Sequence, residues 1–200
     1  MNYLAHCVLA GSDVDLLLGG IAGDFVKGRL ERIADTGLRR GVALHRRIDS
    51  FTDSHSVLRR SRARLPEGMR RYGGILTDML FDHYLARDWG EYGMDGPLAE
   101  FSGNVYKLAR THAQRLPPPF LQVLDRMAAN DWLASYAERA NVEAAVDRVA
   151  VRVRGGEVLI GSVAALGTDY HALECDFRNF FPSLRSFVAG ERERLLCEIS

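Results

Sequence analysis

Cysteine is scarce in this 200-residue chain. The three cysteines, Cys7, Cys175 and Cys197, are an odd number, lie far apart and form no Cys-x-x-Cys pair. This spacing argues against a disulfide framework and against a zinc ribbon, and it fits a reducing compartment.

Long apolar runs and a secretory leader are also missing. No stretch reaches the ~18 apolar residues that a membrane-spanning helix needs. The first residues contain no basic region, and His6 interrupts their apolar run. The sequence therefore predicts a cytoplasmic protein with no membrane partner.

Two common catalytic motifs are absent as well. The glycine-containing stretches GGIAGDF and RGGEV lack the strand, loop and helix that surround a phosphate-binding P-loop. There is also no nucleophile elbow of the kind that serine hydrolases use. Any phosphate chemistry would need a different kind of site.

The net charge is zero, but arginine is concentrated in one part of the chain. Ten arginines lie between residues 39 and 71, against Asp49, Asp53 and Glu67, while Lys27 and Lys107 are the only lysines of the chain. Arginine suits paired contacts to carboxylate and phosphate groups. This stretch is either a solvated helix face or a surface that binds an anionic partner.

Apolar residues recur at intervals of three and four through most of the chain, as in VDLLLGGIAGDFV and ILTDMLFDHYLARDW. This is the period of an α-helix, and glycine and proline clusters separate the periodic segments. We therefore predict an all-α fold, a single compact multi-helix domain over residues 1–200. Its helix N-caps are predicted at Asp13, Thr36 and Asp95.

Two segments allow more than one interpretation. Residues 149–162 alternate apolar and polar side chains around Gly155 and Gly156, which is compatible with a hairpin. The helical character of the flanking sequence favours a short loop or an interrupted helix instead. The last segment, which begins near Asp169, is predicted to be one long helix or two helices that meet near Pro182.

The stretch ALHRRIDSFTD, residues 43–53, spaces His45, Asp49 and Asp53 at intervals of four. Residues four apart in a helix lie about 40° apart around its axis, so His45 and Asp49 point the same way. Arg46 and Arg47 are expected on a more exposed side. If the helix extends that far, Asp53 points the same way as His45 and Asp49. Otherwise it orders the end of the helix, or it forms a hydrogen bond to a metal ligand without binding the metal itself.

Asp78 and Asp82 repeat the interval of four within TDMLFDHYLA, where nearly every neighbour is apolar. A helix that is apolar almost all round is buried. Two buried carboxylates cost several kcal/mol unless a cation or a proton compensates their charge. A metal ion is the simplest compensation, and the adjacent His83 adds an imidazole.

Two N-terminal residues complete the candidate set. His6 lies in the apolar stretch YLAHCVLA, and Asp24 follows Gly19, Gly20 and Gly23, which allow close approach of a helix or a ligand. Imidazole and carboxylate groups on several helices suit Mn²⁺, Fe²⁺ or Zn²⁺. Spacing alone also allows a buried salt-bridge network between these acids and the arginines.

Four motifs, in this order along the chain, resemble the acyl carrier protein phosphodiesterase family, also called holo-acyl-carrier-protein hydrolases. They are MNYLAH (1–6), GDFVKG (23–28), LHRRIDSFTD (44–53) and DMLFDHYLARDW (78–89). The resemblance continues more loosely to YHALECDFRNFFPSL near the C-terminus, whereas residues 150–168 match little. It implies an all-helical fold distantly related to the HD-domain metal-dependent phosphohydrolases.

The resemblance also implies a reaction, the hydrolysis of the phosphodiester that joins 4′-phosphopantetheine to a serine of holo acyl carrier protein. It implies a divalent metal, typically Mn²⁺. From the matching motifs we take as candidate metal ligands His6, Asp24, His45, Asp49, Asp82 and His83. Catalytic roles are predicted for Asp49, for Asp78 as a proton donor, and for Arg46 and Arg47 as phosphate contacts.

Acyl carrier proteins are acidic helical bundles, so the arginine-rich stretch predicts a surface on which such a substrate docks. The residues assigned to this contact are Arg59, Arg60, Arg62 and Arg64. No nucleic-acid partner is expected, and the sequence makes no prediction of oligomeric state.

Two other functions stay open at this point. One is an HD-type nucleotide or cyclic-nucleotide phosphohydrolase that uses the same metal site. The other is a non-catalytic, arginine-rich module that binds nucleic acid or an acidic protein. The second alternative explains the arginines but not the buried Asp78 and Asp82.

Overall fold

The computed structural model describes residues 1–197. Within that range the chain forms eleven α-helices and no strand, which confirms the predicted all-α compact domain. The helices are α1 (Tyr3–Ala10), α2 (Val14–Ala22), α3 (Thr36–Ser54), α4 (Ser56–Arg64), α5 (Gly73–Arg87), α6 (Leu98–Thr111), α7 (Pro118–Ala129), α8 (Trp132–Ser135), α9 (Arg139–Ala150), α10 (Ser162–Ala165) and α11 (Asp169–Cys197).

Helix α5 lies at the centre of the fold, where it packs against α1, α4, α9 and α11. Burial of a large apolar side chain stabilises a fold by roughly 1.5–3 kcal/mol. The side chains of α5 that are completely buried in this way are Leu76, Leu80, Phe81, Tyr84 and Leu85. The predicted burial of this helix is confirmed, and it carries the polar side chains of Asp82 and His83 into the core.

Helices α2 and α3 pack backbone against backbone. A Cβ atom on Gly19 would lie 2.1 Å from the carbonyl carbon of Gly41, far inside van der Waals contact. Because glycine has no Cβ, the two helices approach more closely than other residues would permit. The predicted close approach at the GGIAG stretch is therefore made by a neighbouring helix, and it sets the position of α3.

The predicted helix caps have mixed outcomes. Asp13 is confirmed, since its carboxylate accepts a hydrogen bond from the first turn of α2. Thr36 is wrong, because the carboxylate of the preceding Asp35 caps α3 and Thr36 is already helical. Asp95 is also wrong, because α6 begins only at Leu98.

The structure decides between the alternatives for both ambiguous segments. The chain after α9 forms turns and a short 3₁₀ helix, Gly156–Leu159, so the loop is confirmed and the hairpin is not formed. Helix α11 continues through Pro182 and packs against α3, α4 and α5. None of the helices within residues 1–197 is long and apolar enough to cross a bilayer.

Candidate metal centre

Three side chains from two helices converge at the base of an open cavity. His6 comes from α1, and His45 and Asp49 come from consecutive turns of α3. The Nε2 atoms of His6 and His45 lie 3.1 Å and 3.2 Å from the two carboxylate oxygens of Asp49. The imidazole rings stack with their centroids 3.9 Å apart. One donor atom from each residue falls within 4.8 Å of the others, which is close enough to surround one metal ion.

The ring of His45 is held in a fixed orientation by α2. Its Nδ1 lies 3.0 Å from the carbonyl oxygen of Gly20, so an Nδ1–H group donates there and Nε2 is the nitrogen that faces the carboxylates of Asp24 and Asp49. This second hydrogen bond is the usual way in which a metal-binding histidine is oriented. The ring also fills the space beside Gly23, where a Cβ would lie 2.4 Å from the imidazole.

His6 is buried, and neither of its ring nitrogens makes a satisfactory hydrogen bond, although Nε2 lies near Asp49. A buried polar atom without a partner costs roughly 1–3 kcal/mol. Coordination of a cation would use the free lone pair of this ring. The unsatisfied imidazole and the mixed nitrogen and oxygen donors therefore fit a divalent metal.

The charges around the cluster favour a cation. Burial and the neighbouring His45 lower the pKa of His6 to about 4. Burial also opposes the charged form of His45, but hydrogen bonds to Asp24 and Asp49 outweigh it and raise the pKa of His45 to about 9. Burial likewise opposes ionisation of Asp49, yet the imidazoles of His45 and His6 beside its two oxygens keep its pKa well below the usual value. The carboxylates thus stabilise positive charge at this point.

A cavity of about 200 Å³ opens above the cluster, and we call it the acidic cavity. Its walls are formed by Met1, Asp24, Asp49, Asp53 and Asp78. Asp24 follows α2 in a 3₁₀ turn, and its Oδ1 lies 3.5 Å from Nε2 of His45. Asp53 is 68% exposed and pairs with an arginine of α4, so it lies at the edge.

Asp78 enters the acidic cavity from α5. Its Oδ1 lies 3.2 Å from the amino group of Met1, which is also 3.9 Å from Asp49 Oδ1. Burial raises the pKa of Asp78 even though this amino group lowers it. Asp78 is therefore a carboxyl group that can hold a proton beside the cluster.

The structure does not bring Asp82 into the cluster. Its two carboxylate oxygens accept hydrogen bonds from the backbone N–H groups of Leu4 and Ala5, at 2.7 Å and 3.2 Å. Burial raises the pKa of Asp82 to about 7, although these hydrogen bonds oppose the shift. The sequence predicts that a metal ion compensates the buried carboxylate of Asp82. In the structure the backbone N–H groups at the N-terminus of α1 do so instead. Asp82 thereby fixes the helix that carries His6.

His83 also lies outside the cluster. Its Nδ1 is 2.6 Å from the carbonyl oxygen of Tyr136, and its Nε2 accepts a hydrogen bond from the hydroxyl group of Tyr170. Burial lowers the pKa of this imidazole, which is consistent with a neutral ring. Both nitrogens are occupied, so His83 has no lone pair to offer a metal in this arrangement.

The two arginines predicted to contact phosphate make internal contacts. Arg46 donates from Nη2 to the carbonyl oxygen of Val26 at 2.9 Å and braces the turn that carries Asp24. Arg47 forms an ion pair with Glu191 of α11. These contacts join α3 to its neighbours, and a phosphate-binding role for either arginine stays a prediction.

The four arginines predicted to dock a carrier protein lie on α4. Arg60 and Arg64 bind the two carboxylate oxygens of Asp176, which is buried on α11, at 2.6 Å and 3.0 Å. Arg62 forms an ion pair with the exposed carboxylate of Asp53, near the end of α3. Arg59 is exposed. Three of the four are therefore engaged within the chain, and their docking role stays a prediction.

A larger groove of about 480 Å³ adjoins the acidic cavity, with which it shares Met1, Asp24 and Asp78. Its apolar walls are formed by Tyr3, Phe25, Ile75, Met79, Val123, Trp132, Tyr136, Ala145 and Val149, and its arginines are Arg126, Arg148 and Arg152. Sequence reasoning missed this groove because its residues come from segments far apart in the chain. Tyr3, Phe25 and Met79 lie within the motifs, but no spacing along the chain links them to the rest of the wall.

Comparison with known proteins identifies the family. The model of the family described as acyl carrier protein phosphodiesterase matches residues 1–184. The acyl carrier protein phosphodiesterase of Pectobacterium atrosepticum is 32% identical over 192 residues, which cover 96% of this chain and 100% of that protein. The protein of the same name from Serratia proteamaculans is 33% identical over 184 residues, which cover 92% of this chain and 95% of that protein.

No solved structure matches the chain, so a relationship to HD-domain proteins stays a prediction. The family model and these relatives extend over nearly the whole chain, and they agree with the motifs around the cluster. The chain therefore belongs to the acyl carrier protein phosphodiesterase family.

Proposed function

We propose that the chain hydrolyses the phosphodiester between 4′-phosphopantetheine and the serine of holo acyl carrier protein. The products are apo carrier protein and free 4′-phosphopantetheine. The observation that carries the proposal is the cluster of His6, His45 and Asp49 beside the acidic cavity, in a chain of this family. An anionic phosphodiester would be repelled by a cavity lined with carboxylates, so a cation between them is required.

We assign His6, His45 and Asp49 as ligands of that cation, and Asp24 as a further ligand. When bound, a divalent metal such as Mn²⁺ neutralises charge on phosphoryl oxygens and lowers the pKa of water. The chain orients the donors: Gly20 fixes the ring of His45, and Asp82 holds the helix that carries His6.

Asp78 is proposed to serve the leaving group. Hydrolysis adds the hydroxide of a water to phosphorus and breaks the bond between phosphorus and the serine oxygen, which then needs a proton. Asp78 lines the acidic cavity, and burial raises its pKa, which favours the protonated form. In this scheme Asp78 donates its proton to the serine oxygen and regains one from the attacking water.

The groove is proposed to receive the pantetheine arm. This arm is a flexible, uncharged chain with two amides, and a phosphodiester at one end. A cavity of about 480 Å³ falls within the range of small-molecule sites, roughly 300–1,000 Å³. Its apolar and aromatic walls suit the arm, and Asp24 and Asp78 place its inner end beside the cluster.

The proposal is tested by intact-mass spectrometry of holo acyl carrier protein incubated with the purified chain and Mn²⁺. We expect the carrier to lose the mass of its 4′-phosphopantetheine group and the free prosthetic group to appear. A chelator should prevent the loss, and added Mn²⁺ in excess of the chelator should restore it.

A panel of nucleotides and cyclic nucleotides, incubated in parallel, separates this function from a nucleotide phosphohydrolase. Unchanged carrier mass together with hydrolysis of a nucleotide would replace the proposed substrate. Unchanged carrier mass with no metal bound by the folded protein would contradict the catalytic proposal altogether.

A further inference from the structure

Three arginines gather at the groove on the side of α7 and α9. Arg126 lies on α7, Arg148 lies near the end of α9, and Arg152 follows that helix. All three are exposed, and within residues 1–197 none of them forms an ion pair. Arg126 donates only to the carbonyl oxygen of Gln122 in its own helix, at 3.2 Å. Like charges in one groove repel one another, so an anionic partner would stabilise this arrangement.

Apolar side chains are displayed on the segment that leads away from Arg152. Val151 is 72% exposed, Val158 43% and Ile160 53%, and they are three of the four large apolar residues exposed in the described chain. Exposed apolar residues on a segment that follows such arginines are typical of a protein interface rather than of a site for a small anion.

This segment is anchored to the helices rather than loosely attached. The backbone N–H of Gly161 donates to Oδ1 of Asp147 on α9 at 2.9 Å, and the hydroxyl of Tyr72 donates to the carbonyl oxygen of Arg154 at 2.7 Å. Gly156 packs so tightly against Ala150 that a Cβ would lie 2.4 Å from its carbonyl oxygen. The apolar side chains are therefore presented from a fixed surface.

We propose that the acidic carrier protein docks on this surface, which we call the α9 face and define as Arg126, Arg148, Arg152, Val151, Val158 and Ile160. The proposal rests on the proposed function, because it names the surface that recognises the substrate protein. Acidic side chains of the carrier pair with the arginines, and its apolar residues cover the exposed valines and isoleucine. The prosthetic group then enters the groove, which leads from the arginines to Asp24 and Asp78.

The contacts favour the α9 face over the α4 arginines. Arg60 and Arg64 compensate the buried carboxylate of Asp176, so a carrier that recruited them would leave that charge unpaired. Arg148 and Arg152 have no such internal role within residues 1–197 and can bind a partner without breaking an ion pair. The three arginines of the α9 face also line the groove.

The test compares the double variant Arg148→Glu/Arg152→Glu with the control Arg39→Glu/Lys107→Glu, which makes the same change in net charge away from the groove. Affinity for apo carrier protein is measured by titration calorimetry, because apo carrier lacks the arm and reports docking alone. We expect at least about tenfold weaker binding for the first variant and less than about twofold for the control. KM for holo carrier should rise by a similar factor while kcat stays nearly constant.

The outcomes separate the inference from the proposed function. Wild-type protein that binds and cleaves holo carrier, with unchanged apo-carrier affinity in Arg148→Glu/Arg152→Glu, would overturn the docking surface alone. A higher KM without weaker binding of apo carrier would also overturn it, because the arginines would then contact the arm. Loss of binding in Arg59→Glu instead would move the docking surface to α4. Failure of the wild-type protein to cleave holo carrier would contradict the proposed function itself.

Discussion

Nε2 of His45 lies 3.2 Å from Oδ2 of Asp49, one turn further along α3. The same carboxylate reaches His6 of α1 through its other oxygen. One aspartate therefore joins two histidines from different helices, and the backbone contact between Gly19 and Gly41 sets where α3 presents it. The proposed metal centre depends on this relationship between a helical repeat and a close helix contact.

His45 and His83 should respond differently to substitution by glutamine. His45→Gln removes a proposed ligand, so we expect Mn²⁺ affinity at least about a hundredfold weaker in a folded protein. His83→Gln should leave Mn²⁺ affinity unchanged. It should lower the free energy of unfolding by about 1–3 kcal/mol, because buried hydrogen bonds to Tyr136 and Tyr170 are lost. Metal titration and urea unfolding of both variants provide the check; weaker Mn²⁺ binding in folded His83→Gln would place that ring at the metal.

Asp82 should behave as a helix cap. In Asp82→Asn only one side-chain oxygen remains to accept the two backbone N–H groups of α1. We expect the free energy of unfolding to fall by about 2 kcal/mol, with one Mn²⁺ still bound at saturation. Urea unfolding and metal analysis of the same preparation measure both. Loss of the metal from a variant with wild-type helical content would show that Asp82 is a ligand.

The contact between α2 and α3 should not tolerate a methyl group. Gly19→Ala places a Cβ 2.1 Å from the carbonyl carbon of Gly41, and we expect a loss of at least about 3 kcal/mol of stability. Gly103→Ala on α6 is the matched control, since no atom lies within 4 Å of the added Cβ. It should raise stability by about 0.5–1 kcal/mol through helix propensity. Similar unfolding midpoints for the two variants would show that the helices do not pack as described.

Acid stability should depend on Arg115. Its hydrogen bonds to Asp35 lower the pKa of that carboxyl from 3.8 to about 2. Because the folded-state pKa is depressed, the stabilisation is present above pH 4 and is lost as the pH falls from about 4 to about 2. Arg115→Met should therefore cost about 1 kcal/mol at pH 7, a modest value because the pair is partly exposed. The difference from the wild type should shrink in unfolding curves recorded between pH 5 and 2.5; a constant difference would contradict the linkage.

The sequence predicts the part of the site that depends on local periodicity. The interval of four between His45 and Asp49 places them on one helix face, and the structure shows them there. The all-α fold and the burial of α5 follow from the same period. The apolar stretch around His6 and the glycines before Asp24 indicate two further candidates outside that helix, and the family resemblance, which the comparisons confirm, matches both to motifs.

The sequence does not reveal what packs against a predicted face. Asp82 shares the buried face of α5 with Asp78, but only the structure shows the N-terminus of α1 lying on it. His83 likewise is occupied by Tyr136 and Tyr170 from distant segments. The groove and the α9 face are formed by several helices together, so no local pattern could have indicated them.

The most direct test of the proposed metal centre is the cleavage of holo acyl carrier protein by Asp49→Asn, followed by intact-mass spectrometry with saturating Mn²⁺. Asp125→Asn is the matched control, since Asp125 lies on α7 in an exposed ion pair with Arg110. We predict that Asp49→Asn cleaves holo carrier about a thousandfold more slowly than the wild type, while Asp125→Asn stays within about twofold. A rate close to that of the wild type in Asp49→Asn would contradict the assignment of the metal centre to His6, His45 and Asp49.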